Sequence, residues 1–148
     1  MKRTLSVLFA LLIMVSACSG DKGSAEKASS PTASASSASP TAGSIFKSLD
    51  SRAARILIEQ RKDLVVVDLR EANELREGYI AGSELIPMSA LSKGTKSLPA
   101  DRPLLLVCAV GGRSFAVGRY FSAKGYPELY NLQGGISAWK KAGLPLQY

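Results

Sequence analysis

Leu104-Leu105-Leu106-Val107-Cys108-Ala109-Val110-Gly111-Gly112-Arg113-Ser114 changes character at its fifth residue. Four consecutive apolar residues have the length of a strand covered on both faces, the glycine pair permits a tight loop, and Ser114 opens a segment with helical character to about Ala123. A strand, a glycine loop and a helix start in that order bring successive backbone N–H groups and the positive end of a helix onto one anion, and Arg113 adds a fixed charge. A thiol at Cys108 should therefore ionise more easily than a free one. Cysteine at the end of an apolar run is ordinarily a buried structural residue. The glycines, the arginine and the helix start favour the reactive reading.

Outward from this loop, the apolar run Leu64-Val65-Val66-Val67 repeats the buried-strand pattern. Before it, Ile45-Phe46-Lys47 fits a short edge strand, and Asp50 fits the cap of a helix to about Gln60, with Ala53, Ala54, Leu57 and Ile58 at helical spacing. After it, a short polar helix fits Glu71 to Glu77, Gly78 and Gly82 mark turns, and Leu85-Ile86 fits a strand ended by Pro87. Glu128-Leu129-Tyr130 adds a strand, and Gly135 precedes a helix over Ile136 to Lys141. Alternating strands and helices predict an α/β fold: a compact three-layer sandwich with a central parallel sheet flanked by helices, and the cysteine loop at the carboxyl end of a central strand.

The chain begins with Lys2-Arg3, an apolar run from Leu5 to Val15, and Ser16-Ala17-Cys18. That is the layout of a signal peptide and is short for a membrane span. Val15-Ser16-Ala17-Cys18 resembles the lipobox of bacterial lipoproteins, which implies cleavage after residue 17, lipidation of Cys18 and an exported, membrane-anchored protein facing the periplasm or cell exterior. Ordinary secretion with cleavage near Ala17 is the alternative. The absence of Asp at position 19 resembles lipoproteins sent to an outer membrane. From 18 to 44 the composition turns to Ser, Ala, Pro, Thr and Gly, with nothing to bury, and reads as a flexible tether of roughly 25 residues. The folded part is then 45–148, about a hundred residues, enough for one core.

A lipidated Cys18 cannot pair with Cys108, which leaves one free thiol in a compartment that oxidises thiols. Reversible chemistry at sulfur accounts for it; intermolecular pairing is the alternative. The net charge of +7 falls to +5 without Lys2 and Arg3, a balance compatible with small anionic substrates or an anionic membrane surface, or simply with a basic soluble surface. The basic residues are scattered without interleaved aromatics, so nucleic acid is not an expected partner. There are no histidines, which excludes a Cys-His dyad and metal or haem ligation through His; no metal site or cofactor is expected.

Read together, the ordered segments resemble a single-domain rhodanese, the sulfurtransferase family that carries sulfur as a cysteine persulfide. Val67-Asp68-Leu69-Arg70 with Glu74, Gly78-Tyr79-Ile80-Ala81-Gly82-Ser83 followed by Ile86-Pro87, the Cys108 loop, and Leu132-Gln133-Gly134-Gly135-Ile136 with Trp139 all carry the likeness. Tyr79 departs from it, standing where the family commonly has histidine. The resemblance implies that Cys108 is the nucleophile and that Arg113 supports the loop's shape and electrostatics. It implies too that Ala109, Val110, Gly111, Gly112 and Ser114 form the persulfide cradle, and that Asp68 and Arg70 organise neighbouring loops. The substrates implied are a small sulfur donor such as thiosulfate and a thiol or cyanide acceptor. Arg113 follows Cys108 by five positions, one fewer than in the related phosphatases, whose wider loop holds a phosphoryl group. Other readings stand beside these. Asp68 fits a strand-end cap, Arg70 a surface ion pair, and Trp139 core packing. The whole domain fits a non-turnover persulfide carrier or a redox-sensing interaction module with an outward-facing cysteine.

Overall fold

The computed structural model describes residues 43–148; the expected signal peptide, Cys18 and nearly all of the tether lie outside the described residues. The chain runs β1 (Ile45–Leu49), α1 (Ser51–Gln60), β2 (Val65–Asp68), a 3-10 turn (Ala72–Glu77), β3 (Glu84–Leu85), α2 (Met88–Ser92), β4 (Leu104–Val107), α3 (Gly112–Ala123), β5 (Glu128–Leu132) and α4 (Gly135–Lys141). The five strands form one parallel sheet in the order β1-β5-β4-β2-β3. β4 is therefore central, paired with β2 from Leu104 opposite Val65 to Val107 opposite Asp68.

Alternation along these strands builds the three layers. Val66, Leu105 and Val107 face one side, where Ala54 of α1 and Ile136 and Trp139 of α4 cover them. Val67, Leu104 and Leu106 face the other, against Val117 of α3 with Met88 and Leu91 of α2. A strand covered on both faces needs no polar positions, which is why these two runs are continuously apolar. Trp139 is fully buried and its indole N–H donates to the Pro145 carbonyl at 3.0 Å, so its role is core packing. Asp50 caps α1 as expected, accepting from the Ala53 N–H at 2.9 Å.

Several elements differ from the sequence expectation, and β1 runs two residues past Lys47 to Leu49. α2 was unforeseen; it is a five-residue turn of helix that Pro87 initiates. α3 starts at Gly112, two residues early, because Gly111 in the left-handed region is itself the cap. β5 runs on to Leu132 through a polar but buried Asn131. Among the described residues no helix is long and apolar enough to cross a membrane.

Candidate functional site: a buried thiol in a main-chain cradle

Cys108 leaves the carboxyl end of the central strand, and its loop folds back over its own sulfur. The residue is only 1% exposed, so it does not face outward; the loop encloses it. The Gly111 N–H donates to Sγ at 3.1 Å and the Ser114 hydroxyl lies 3.3 Å from it. Burial pushes the thiol's pKa up. The Ser114 hydroxyl and the amides of Ser114, Val110 and Gly111 outweigh burial, so the net direction is down.

Two glycines make the enclosure possible. Gly111 has φ +87°, and a Cβ there would lie 2.8 Å from the Gly134 nitrogen and 2.9 Å from the Leu132 oxygen. Gly135 has φ +58°, and a Cβ would lie 2.2 Å from the Cys108 carbonyl oxygen. With no side chain in the way, the start of α4 closes on the loop: Ile136 N–H donates to the Cys108 carbonyl at 2.9 Å and Ser137 N–H to that of Ala109 at 3.1 Å. The loop's carbonyls are thus occupied on the α4 side, while several of its N–H groups act on the sulfur.

Arg113, in the first turn of α3, donates to Glu74 at 2.6 and 2.8 Å. That pair pushes the arginine's pKa further up, with a smaller contribution from the nearby Cys108. Asp68 and Arg70 are each 1% exposed and bonded to each other, with an Arg70 nitrogen 2.7 Å from Asp68 Oδ2. Arg70 also donates to the carbonyls of Glu74 at 3.2 Å and Gly78 at 2.9 Å. It is therefore no surface ion-pair partner. Asp68 and Arg70 fasten the segment that carries Glu74, and Glu74 holds Arg113.

A model of the rhodanese-like domain matches residues 52–142. The chain belongs to that family. A protein of Allochromatium vinosum named sulfurtransferase is 32% identical over 98 residues, 66% of this chain and 92% of the relative. Thiosulfate sulfurtransferase GlpE of Pseudoalteromonas translucida is 29% identical over 82 residues, 55% of this chain and 78% of its own. The crystal structure of a rhodanese-related protein from Thermoplasma volcanium superposes with a TM-score of 0.60 at 33% identity, covering 68% of this chain and 97% of that one.

The rhodanese-like domain brings all the expected loop residues together: Cys108, Ala109, Val110, Gly111, Gly112, Arg113 and Ser114 surround or border one sulfur. Asp68 and Arg70 reach it only through Glu74 and Arg113. Sequence reasoning missed Asn131, whose Oδ1 lies 2.6 Å from the Ser114 oxygen, while its Nδ2 donates to the Ser48 hydroxyl at 3.1 Å. Its only signal was a polar residue between apolar ones at a strand's end. Beside the loop lies an open cleft of about 380 Å³, lined by Ser48, Val110, Phe115, Asn131 and Gln133 among others. Among the described residues no charged side chain lines it, and Val110 and Phe115 are 69% and 44% exposed on its rim.

Proposed function

We propose that this rhodanese-like domain is a sulfurtransferase that moves sulfane sulfur from a small donor such as thiosulfate to a thiol or cyanide acceptor through a persulfide on Cys108. The observation that carries this reading is the convergence of loop amides and the Ser114 hydroxyl on a buried sulfur whose pKa is lowered. The Cys108 thiolate attacks the outer sulfur of thiosulfate, forming an S–S bond as sulfite leaves with the electron pair of the bond that breaks. The terminal persulfide sulfur then carries the negative charge, held by main-chain N–H groups with Arg113 nearby. Attack by the acceptor breaks the Cys108–sulfur bond, returns the electron pair to Sγ and regenerates the thiolate. The names of the relatives from Allochromatium vinosum and Pseudoalteromonas translucida support the same chemistry. Cys108 and Arg113 are the catalytic residues of this reading, residues 109–112 and Ser114 the cradle, and Asp68 and Arg70 its support.

Intact-protein mass spectrometry of the full chain carrying Cys18→Ser, treated with thiosulfate and then with cyanide or a thiol, tests it. One sulfur atom that loads only where Cys108 is present and discharges over repeated cycles is the expected result. Loading without discharge supports instead a persulfide carrier or redox interaction module, which the exposed apolar Val110 and Phe115 on the cleft rim would serve. No loading and no discharge from any donor overturns both.

We also propose export and anchoring through a lipidated Cys18, with 18–44 as the tether. The motif at residues 15–18 after a basic and apolar leader supports this. Metabolic labelling with palmitate should mark the intact chain and not Cys18→Ser; label on neither excludes the anchor.

A further inference from the structure

A file of four hydrogen-bonding groups runs from the exposed edge strand to the reactive thiol of the proposed function: Ser48 on β1, Asn131 on β5, Ser114 on α3 and the Cys108 sulfur. Its middle is overcommitted. The Ser114 hydroxyl has one hydrogen and three acceptors within reach: Sγ at 3.3 Å, the Gly111 carbonyl at 3.2 Å and Asn131 Oδ1 at 2.6 Å. The short contact is the Asn131 one. At 2.6 Å it suits O–H···O, with the Ser114 hydroxyl donating to the amide oxygen. The amide nitrogen at 3.1 Å from Ser48 fits the same assignment. Asn131 and Ser114 are both buried, so water does not compete for the bond between them, whereas the Ser48 end of the file meets solvent.

We propose that Asn131 is a positioning residue that draws the Ser114 hydrogen away from the Cys108 sulfur, and so favours the sulfur-loaded state over the free thiolate. As a thiolate, Sγ is the strongest acceptor Ser114 can meet. As the inner atom of a persulfide it is a neutral, weak one, because the charge has moved to the terminal sulfur. The hydroxyl then rests on Asn131. On discharge the acceptor's sulfur bonds to the terminal sulfur, the Cys108–sulfur bond breaks, its electron pair returns to Sγ, and the Ser114 hydrogen swings back to it. Holding that hydrogen elsewhere makes Cys108 a poorer leaving group and slows release.

The charged and titratable groups on the elements around the loop are Arg113, Arg119 and Tyr120 on α3, Glu74, Arg76 and Glu77 on the 3-10 turn, the Asp68–Arg70 pair, Lys47 on β1, Glu128 and Tyr130 on β5, and Lys140 and Lys141 in the last turn of α4. None is altered in the test. In full chain carrying Cys18→Ser, Cys108 is the only thiol, and its ionisation is read by thiolate absorbance against pH. Asn131→Leu should give about threefold more thiolate below the midpoint, and no such change when Ser114→Ala is already present. Ser48→Ala, which unpins the amide from an exposed position, should move the midpoint the same way by less. A shift of Asn131→Leu that persists without Ser114 marks a packing effect and overturns the proposal, as does no shift in either variant. The second readout rests on the persulfide reaction proposed above: the loaded Asn131→Leu protein should discharge to a thiol about threefold faster. Failure to load at all counts against that reaction and leaves the titration result standing.

Discussion

Arg113 grips both carboxylate oxygens of Glu74, at 2.6 and 2.8 Å, across 39 residues of chain. The fork ties the first turn of α3 to the 3-10 turn after β2 and keeps a guanidinium beside Cys108. Arg113 also holds the Glu74 carboxyl down to about 2, from 4.5. A carboxylate whose folded value is depressed contributes stability above its unfolded value and loses it as pH falls through the folded one. The two side chains are 34% and 28% exposed, so solvent screening leaves about 1 kcal/mol. In urea unfolding, Glu74→Gln should be less stable than the parent by that amount at neutral pH, and the gap should close between pH 4.5 and 2. A gap independent of pH would mean the pair is not ionic.

Ser114→Ala removes the hydroxyl that lowers the Cys108 pKa while sparing the amides. The rate of Cys108 alkylation by iodoacetamide should then rise at higher pH than in the parent, with a severalfold loss at neutral pH and the same alkaline plateau. An unshifted profile would assign the acidity to the main chain alone.

Gly135→Ala forces a methyl group to 2.2 Å from the Cys108 carbonyl oxygen, at φ +58°. The start of α4 must lift off the loop. The expected loss is about 2–4 kcal/mol, seen as a lower urea midpoint, together with slower thiol alkylation because the cradle loosens.

Asp68→Ala leaves the Arg70 guanidinium buried without its carboxylate. Removing one partner of a buried pair costs about 3–5 kcal/mol, and calorimetry should find that loss. Arg70→Lys should also destabilise, because an ammonium cannot reproduce the fork to Asp68 together with the carbonyls of Glu74 and Gly78.

The sheet was legible because burial on both faces leaves a plain mark: Leu64 to Val67 and Leu104 to Val107 are strand-length apolar runs with no helical period. Asp50 and the loop glycines were legible because their backbone demands are local. Met88–Ser92 left no such mark, since five residues cannot display a helical face. The burial of Arg70 and Cys108 depends on partners far along the chain or on the loop's return path, and the extent of β5 was hidden because a buried Asn131 breaks the apolar pattern that identifies a strand. Cys108 and the donors that touch its sulfur lie in one segment and were readable there; the groups that hold that segment in shape come from β5, α4 and the 3-10 turn and needed the fold.

The donors that hold the sulfur are mostly peptide N–H groups, which any residue but proline supplies. Val110 contributes its amide to the cradle while 69% of its surface faces solvent beside the cleft. In the proposed sulfurtransferase, holding the sulfur and meeting its donor or recipient would thus fall to the two halves of the same residue. In that reading, side-chain exchanges at this position alter what the cleft admits while the main-chain N–H at the Cys108 sulfur stays in place, so the loop has room to diversify.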